Sequence, residues 1–180
     1  VEFWLKKVDF ALTATKKEVI FDIHTTSSIS SSADYGRLRI EMSGHGVGTN
    51  TTSPFYVTYM SGTTGISNQN IGSSLTTSSI ADDSWHHYAF RFKNTGSNIV
   101  TDLFVDGAHN HRVTTGTTIN YISGTIVGTI GALTTHPSGA AGPPQANKGW
   151  GKLSGSVDEF RYWKVWRTSE QIQTRWFDQV

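Results

Sequence analysis

Apolar and polar residues alternate along several short runs of this chain, which is the pattern of strands that bury one face. In the run Val19–Thr25, the apolar residues Val19, Phe21 and Ile23 occupy every second position. In Arg37–Ser43, apolar residues again alternate with charged ones. The same reading along the chain predicts strands at Val1–Lys7, Val19–Thr25, Arg37–Ser43, Pro54–Met60, Trp85–Lys93, Ile99–Asp106, Ala108–Val113, Gly124–Leu133 and Ser156–Val165.

The pair Asp106-Gly107 separates two of these strands and predicts a hairpin between them. A two-residue type I′ turn needs positive φ at both central positions, and Asp-Gly is a preferred pair there. The predicted strands are joined by turns, and no helices alternate with them. This order is typical of an all-β fold in which two antiparallel sheets pack face to face as a sandwich.

One helix is predicted, at the C-terminal end of the chain. Thr168 can cap its first turn, and Gln171, three residues later, completes a capping box. Ile172, Trp176 and Val180 then recur at every fourth position and form one apolar stripe. We expect this stripe to pack on the edge of the sandwich.

The composition fits one globular domain and excludes several classes of function. The chain has 180 residues, of which 36% are hydrophobic, and its formal net charge is +1. Lysine and arginine never form a basic stripe, so no nucleic-acid partner is predicted. No apolar stretch approaches membrane-spanning length, so no membrane insertion is expected. The absence of cysteine excludes disulfides, thiolate zinc sites and cysteine nucleophiles.

Five segments of the chain carry motifs whose order and spacing are informative together. They are Val1–Lys6, Ser84–Phe90, Leu103–Gly107, Gly155–Trp163 and Arg167–Ile172. In this order they resemble a laminin-G-like domain of the concanavalin A-like lectin/glucanase superfamily, across nearly the whole chain. The run Lys17–Asp22, a Ser-rich loop and the closing Trp176–Val180 are similar to domains in virion structural proteins of tailed marine phages.

The resemblance implies a two-sheet antiparallel jelly-roll sandwich with a short C-terminal helix. Family members usually carry another strand before the segment that matches Val1–Lys7, so we expect this single domain, residues 1–180, to be a fragment of a longer chain that lacks its first strand. The implied function is a non-catalytic virion structural or adhesion module on a phage particle, or in an extracellular setting. Its expected partners are host or environmental glycans, other virion proteins and copies of itself.

Three other functions remain open from the sequence: a carbohydrate-binding module of a secreted bacterial protein, a glycoside hydrolase or lyase of the same fold, and a purely structural interaction domain. Glucanases of the superfamily carry carboxylates at alternating positions of one strand, and a retaining pair must lie about 5 Å apart. No such run is present here, and the neighbours Asp82 and Asp83 would point to opposite faces of a strand. We therefore predict that the protein is not an enzyme.

Asp158 and two histidines are the candidate metal ligands. Asp158 should share a strand face with Phe160 and Tyr162, and a carboxylate facing a core must be hydrogen-bonded or hold a cation. The resemblance implies a structural Ca²⁺ there, and the alternative is a neutralised structural carboxylate. His109 and His111 should share a strand face and could chelate together, although without a third ligand exposed histidines are the simpler interpretation.

The tryptophans divide between strand motifs and one long loop. Trp4, Trp85 and Trp163 fall in strand motifs and are predicted to be core residues. Trp150 lies instead in the Gly- and Pro-rich stretch Thr134–Gly151, where it either pins the loop or forms a platform for a sugar. Together with a second, Ser-rich loop, this stretch predicts a glycan site. Its candidate residues are Trp150, Asn147, Lys148, His136, Tyr35 and Asp34.

Overall fold

The computed structural model describes residues 1–10, 17–27, 34–44, 52–134 and 151–178. These residues form ten strands and two short helices. The strands are β1 (Glu2–Lys6), β2 (Glu18–Thr25), β3 (Gly36–Met42), β4 (Phe55–Ser61), β5 (Thr64–Ile71), β6 (Trp85–Asn94), β7 (Ile99–Val105), β8 (Ala108–Thr115), β9 (Ile126–Ile130) and β10 (Ser156–Arg161). The helices are α1 (Thr77–Ile80) and α2 (Ser169–Arg175).

Two five-stranded antiparallel sheets make up the sandwich, and this confirms the predicted all-β fold class. The first sheet has the strand order β10-β1-β6-β7-β8. The second has the order β5-β4-β3-β2-β9. β1 lies inside the first sheet, between β6 and β10, as its alternating pattern predicts.

The core lies between the sheets, where their inward faces meet. Phe3 of β1 stacks on Phe90 of β6 with 6.0 Å between ring centroids. From the opposite sheet, Phe55 makes edge contacts with Phe90 at 5.3 Å and with Tyr88 at 5.0 Å. All of these rings are buried. Burying each such side chain contributes about 1.5–3 kcal/mol to stability, so this aromatic cluster is a large part of what holds the sheets together.

The strand β5 and the helix α1 are absent from the sequence-based prediction. β5 is an edge strand of polar sequence in which only Ile66 and Ile71 are buried. An edge strand with so few inward apolar residues carries no clear period-2 signal. α1 has four residues, too few for a helical period to show, although Thr76 and Ser79 form a capping box at its start.

The predicted hairpin and C-terminal helix are both present. Asp106 and Gly107 have φ angles of 48° and 77°, as the type I′ turn requires. Thr168 and Gln171 form the capping box of α2, and Ile172 is buried against the outer face of the first sheet. Neither helix among the described residues is long and apolar enough to cross a membrane. Val180, the last residue of the predicted stripe, lies outside the described residues.

Replacing Gly107 with Ala should destabilise the fold more than the same change at Gly96. Both glycines have positive φ, so each alanine carries a backbone cost of about 1–2 kcal/mol. A Cβ at Gly107 would also lie 2.3 Å from Cδ1 of Trp176, which adds about 1–3 kcal/mol of overpacking, whereas nothing lies within 4 Å of a Cβ at Gly96. Urea denaturation measures the difference, and equal losses for the two variants would contradict the packing of Trp176 on this turn.

Candidate ligand-binding cleft

The segment that joins β10 to α2, residues 162–168, places aromatic side chains at the surface; we call it the connecting segment. Tyr162 and Trp163 are 48% and 42% exposed. The third ring, Trp166, is half-buried. Large rings grouped at a surface are a common feature of binding sites. The connecting segment is therefore the first candidate for a functional surface.

Arg167 fastens the connecting segment to the first sheet and to α2. Its Nη1 donates to both carboxylate oxygens of Glu2, at 2.7 and 2.6 Å, and its Nη2 donates to the Gln171 carbonyl oxygen at 2.7 Å. Its guanidinium also lies 4.9 Å from the centroid of the Trp163 ring. Charge-assisted bonds of this kind are short and strong, so the segment is held in one geometry.

Arg91 on β6 also holds the connecting segment in place. Its Nη1 donates to the Arg167 carbonyl oxygen at 2.8 Å, and its Nη2 donates to Asp102 at 2.6 Å. The guanidinium lies over two rings, 4.6 Å from the centroid of Phe104 and 4.3 Å from that of Trp166. This cation therefore makes cation–π contacts with two aromatic side chains, which orients the Trp166 ring.

Asp102 is fully buried and supplies the charge that keeps Arg91 in place. Burial raises the pKa of this carboxyl, but hydrogen bonds from Arg112 at 2.6 Å and from Arg91 hold the pKa below its usual range. His109 Nε2 lies 3.2 Å from the same carboxylate. Asp102 thus stays ionised beneath the surface of the first sheet.

A cleft of about 180 Å³ lies between the connecting segment and the ends of β1, β3, β4 and β6. Its aromatic and charged lining residues are Glu2, Tyr59, Phe90, Arg91, Phe92, Tyr162, Trp163, Lys164, Trp166 and Arg167. Pockets for drug-sized molecules are usually about 300–1,000 Å³. This cleft therefore suits one small unit of a larger ligand, held against aromatic walls and charged hydrogen-bond donors.

No pair of carboxyl groups suited to glycoside hydrolysis is found among the described residues that line the cleft. Glu2 is the one carboxylate in this lining, and both of its oxygens accept from Arg167. Glycoside hydrolysis ordinarily needs two carboxyl groups about 5–9.5 Å apart, one of them free to give or take a proton. The aromatic rings and charged donors of this lining can contact a ligand through stacking and hydrogen bonds.

The structure describes two of the six residues of the predicted glycan site. Asp34 is exposed, and its Oδ1 accepts from Ser123 Oγ at 3.1 Å. Tyr35 is only 1% exposed, so its ring belongs to the interior and does not face a ligand in solvent. The other four predicted residues, Trp150, Asn147, Lys148 and His136, lie outside the described residues, and their role stays a prediction.

The prediction that Asp158 faces the core is wrong, because β10 carries a bulge. Glu159 has a φ of 48°, and the register of β10 against β1 shifts there. Val157 and Phe160 consequently both pack on the core, although an odd number of steps separates them. Asp158 is exposed, and its Oδ1 accepts from the Glu159 N–H at 2.8 Å.

The calcium ion expected at Asp158 stays a prediction. Calcium takes six to eight oxygen ligands, most of them from converging carboxylates and carbonyls. Among residues 1–10, 17–27, 34–44, 52–134 and 151–178, no group of three His, Cys, Asp or Glu side chains is arranged to hold a metal ion. The calcium prediction therefore depends on the family resemblance alone.

His109 and His111 do not share a strand face, contrary to the sequence-based expectation. The register of β8 against β7 shifts between them, which leaves Asn110 as the extra residue of a bulge. His109 turns toward Asp102 on the outer face, while His111 Nδ1 accepts from the Gly72 N–H at 3.1 Å. The two imidazoles therefore cannot chelate one ion together.

Two of the tryptophans predicted to be core residues are at the surface instead. Trp85 is 43% exposed at the start of β6, and Trp163 lies beyond the end of β10, which stops at Arg161. Trp4 is half-buried on the outer face, 5.6 Å from the ring of Trp176. The run of aromatic and cationic residues after β10 is the sequence feature that marks the cleft. It was missed because these residues continue the alternating pattern of a strand, so the sequence alone does not show where β10 ends.

The neighbours His86 and His87 have opposite electrostatic environments. His86 is bracketed by carboxylates, with Nδ1 2.8 Å from Asp106 and Nε2 3.1 Å from Asp82. Burial lowers the pKa of His86, but these hydrogen bonds outweigh it and raise the pKa above 6.5. His87 is buried on the other face of β6, and desolvation lowers its pKa to about 4 despite the nearby Glu2.

We predict that His87 destabilises the folded protein in acid. In the folded protein the pKa of His87 is about 4, below the ordinary value of 6.5. Its contribution to the free energy of unfolding is therefore complete above pH 6.5 and is lost as the pH falls from 6.5 toward 4. The full loss is up to about 3 kcal/mol. In urea denaturation, the stability advantage of the wild type over His87→Gln should shrink between pH 7.5 and pH 4.5; a constant advantage would contradict a neutral buried imidazole.

His86→Gln is the matched control, and its pH dependence has the opposite sign. Because the pKa of His86 is raised in the folded protein, its contribution to the free energy of unfolding is complete below pH 6.5. That contribution is lost as the pH rises through the pKa of the folded state. The advantage of the wild type over His86→Gln should therefore be larger at pH 5.5 than at pH 8.5. The same trend in both variants would show that other groups control the stability in this range.

Comparison of the chain with family models, with curated protein sequences and with solved structures finds no match.

Proposed function

We propose that this domain is a non-catalytic adhesion module that binds glycans in the cleft beneath the connecting segment. The observation that carries the proposal is the placement of Trp163, 42% exposed, beside a cleft of about 180 Å³ that Arg91 and Arg167 hold open in one geometry. A rigid scaffold that displays a few exposed aromatic and charged groups is the usual design of a recognition site.

Sugar chemistry matches this lining better than the chemistry of a purely apolar ligand. A pyranose ring presents apolar C–H groups on its faces and hydroxyls around its rim. Tyr162 and Trp163 offer exposed ring surface for the faces, and Lys164 offers a charged donor for the rim. The volume accommodates a single small unit, so each cleft binds weakly.

Weak binding by single sites fits a protein that acts in many copies. When many modules are displayed on one particle, avidity exceeds the affinity of each site by orders of magnitude. The resemblance to domains in virion structural proteins of tailed phages supports such a display, at the surface of a phage particle and next to other virion proteins. The absence of a second carboxylate among the described lining residues supports a binding role over a hydrolytic one.

Trp163→Ala should abolish glycan binding while the fold persists. Trp85→Ala is the matched control, since Trp85 is 43% exposed but does not line the cleft. The loss of the Arg167–Trp163 contact costs about 0.5–1 kcal/mol, so Tm should fall by less than about 4 °C. Binding is read on a glycan array, with the wild type, both variants and Trp150→Ala at equal concentration.

Three results of this array would overturn the proposal in different ways. If the wild type binds no glycan, the domain is a structural interaction module. If Trp85→Ala loses binding and Trp163→Ala retains it, the site is on another surface. If Trp150→Ala alone loses binding, the site lies in the long loop predicted from the sequence.

A further inference from the structure

We propose that the cleft selects acidic glycans, meaning sugar units that carry a carboxylate or a sulfate group. This inference rests on the proposed function and names the ligand class for the same site. It comes from the distribution of charge in and around the cleft, which is strongly unequal although the chain as a whole carries a formal net charge of only +1.

Cationic side chains outnumber acidic ones in the cleft lining. Arg91, Lys164 and Arg167 line it, against the single carboxylate of Glu2. Glu2 is 2% exposed, and Arg167 lies 2.6 Å from one of its oxygens, so its charge is neutralised at short range. The side chains that line the cleft therefore carry more positive than negative charge.

The two lysines are the cations that remain for a ligand. Arg91 and Arg167 are engaged by Asp102 and Glu2, whereas Lys164 is exposed and makes no ion pair with any described residue. Lys93 is also exposed, with its ammonium 5.6 Å from the centroid of the Trp166 ring, which lines the cleft. Lys164 in the lining and Lys93 beside Trp166 thus have no carboxylate partner among the described residues.

The concave shape of the cleft strengthens the effect of these charges. Clefts lined by charge of one sign focus the electrostatic field and raise the local concentration of ligands of opposite sign. An ammonium is a compact point charge without the bidentate geometry of a guanidinium, so it pairs equally with a carboxylate or a sulfate. The selectivity is therefore for negative charge on the sugar and not for one kind of acidic group.

The experiment compares matched forms of the same glycan backbones on one array. Each backbone is presented neutral, carboxylated at C6 and sulfated at C6, and a single-stranded oligonucleotide serves as an anionic probe without sugar acids. Wild-type protein should bind the carboxylated and sulfated forms in preference to the neutral one, and the preference should decrease as salt rises from about 0.05 to 0.5 M because exposed charges are screened.

Lys164→Gln tests the charge separately from the aromatic surface. It should weaken binding to the acidic forms by about two- to fivefold, the range for an exposed ion pair, and weaken binding to the neutral form by less, because the glutamine amide still donates hydrogen bonds to sugar hydroxyls. Lys152→Gln is the matched control, because Lys152 is also an exposed lysine but does not line the cleft. Isothermal titration with the strongest array ligand gives the affinities.

The outcomes separate this inference from the proposed function. Equal binding of neutral and acidic forms overturns the selectivity but leaves the glycan module intact. Equal weakening by Lys164→Gln and Lys152→Gln shows that general charge, and not the cleft, attracts the ligand. Equal binding of the oligonucleotide overturns the assignment to sugars, and binding of no probe overturns both proposals.

Discussion

The Arg91 guanidinium is the interaction on which the arrangement around the cleft depends. It joins β6 to Asp102 on β7 and to the backbone of the connecting segment, and it contacts the rings of Phe104 and Trp166. A buried charge that loses its partner costs about 3–5 kcal/mol, so this cation and its carboxylate hold each other in place. The position of α2 follows, since Arg167 is bound to Arg91 through its carbonyl and to Glu2 through its side chain.

The second sheet also has buried ion pairs between arginines and carboxylates on its outer face. Asp22 accepts from Nε and Nη2 of Arg37, both at 2.7 Å, and from Arg39 at 3.3 Å. Arg39 also donates to Glu41 at 3.3 Å, and all four side chains are buried. The alternation in β3 therefore separates an apolar core face from a face of paired charges, and neither face is simply exposed to water. Because these charges are matched on neighbouring strands, they favour the observed register over a slipped one.

The site combines this rigidity with exposed apolar surface. The connecting segment leaves the sheet after Arg161 and presents Tyr162 and Trp163 to solvent. Hydrogen bonds of Arg91 and Arg167 hold it against the first sheet. A ligand would therefore meet a surface that is already ordered, and binding would cost little conformational entropy. The same arrangement pairs both arginines with carboxylates and leaves Lys164 and Lys93 without such a partner among the described residues, which is why the proposed ligand is acidic and the proposed affinity is low.

The strands, the hairpin and the capped helix could be predicted from the sequence because each depends on local chemistry. Period-2 alternation marks β2 and β3, the positive φ of an Asp-Gly turn marks the hairpin, and Thr168 with Gln171 marks the start of α2. The faces that particular side chains occupy could not be predicted in the same way. They depend on register, and a single extra residue reverses every face beyond it.

Two bulges show what only the tertiary structure decided. The bulge at Glu159 turned Asp158 outward while Phe160 stayed on the core, and the bulge at Asn110 separated His109 from His111. The end of β10 could not be predicted either, because Trp163 continues the alternation of a strand although β10 stops at Arg161. The sequence by itself determined which residues form strands, since that choice is made by neighbours along the chain. The cleft required the tertiary structure, since Glu2, Arg91 and Arg167 meet only when three separate segments pack together.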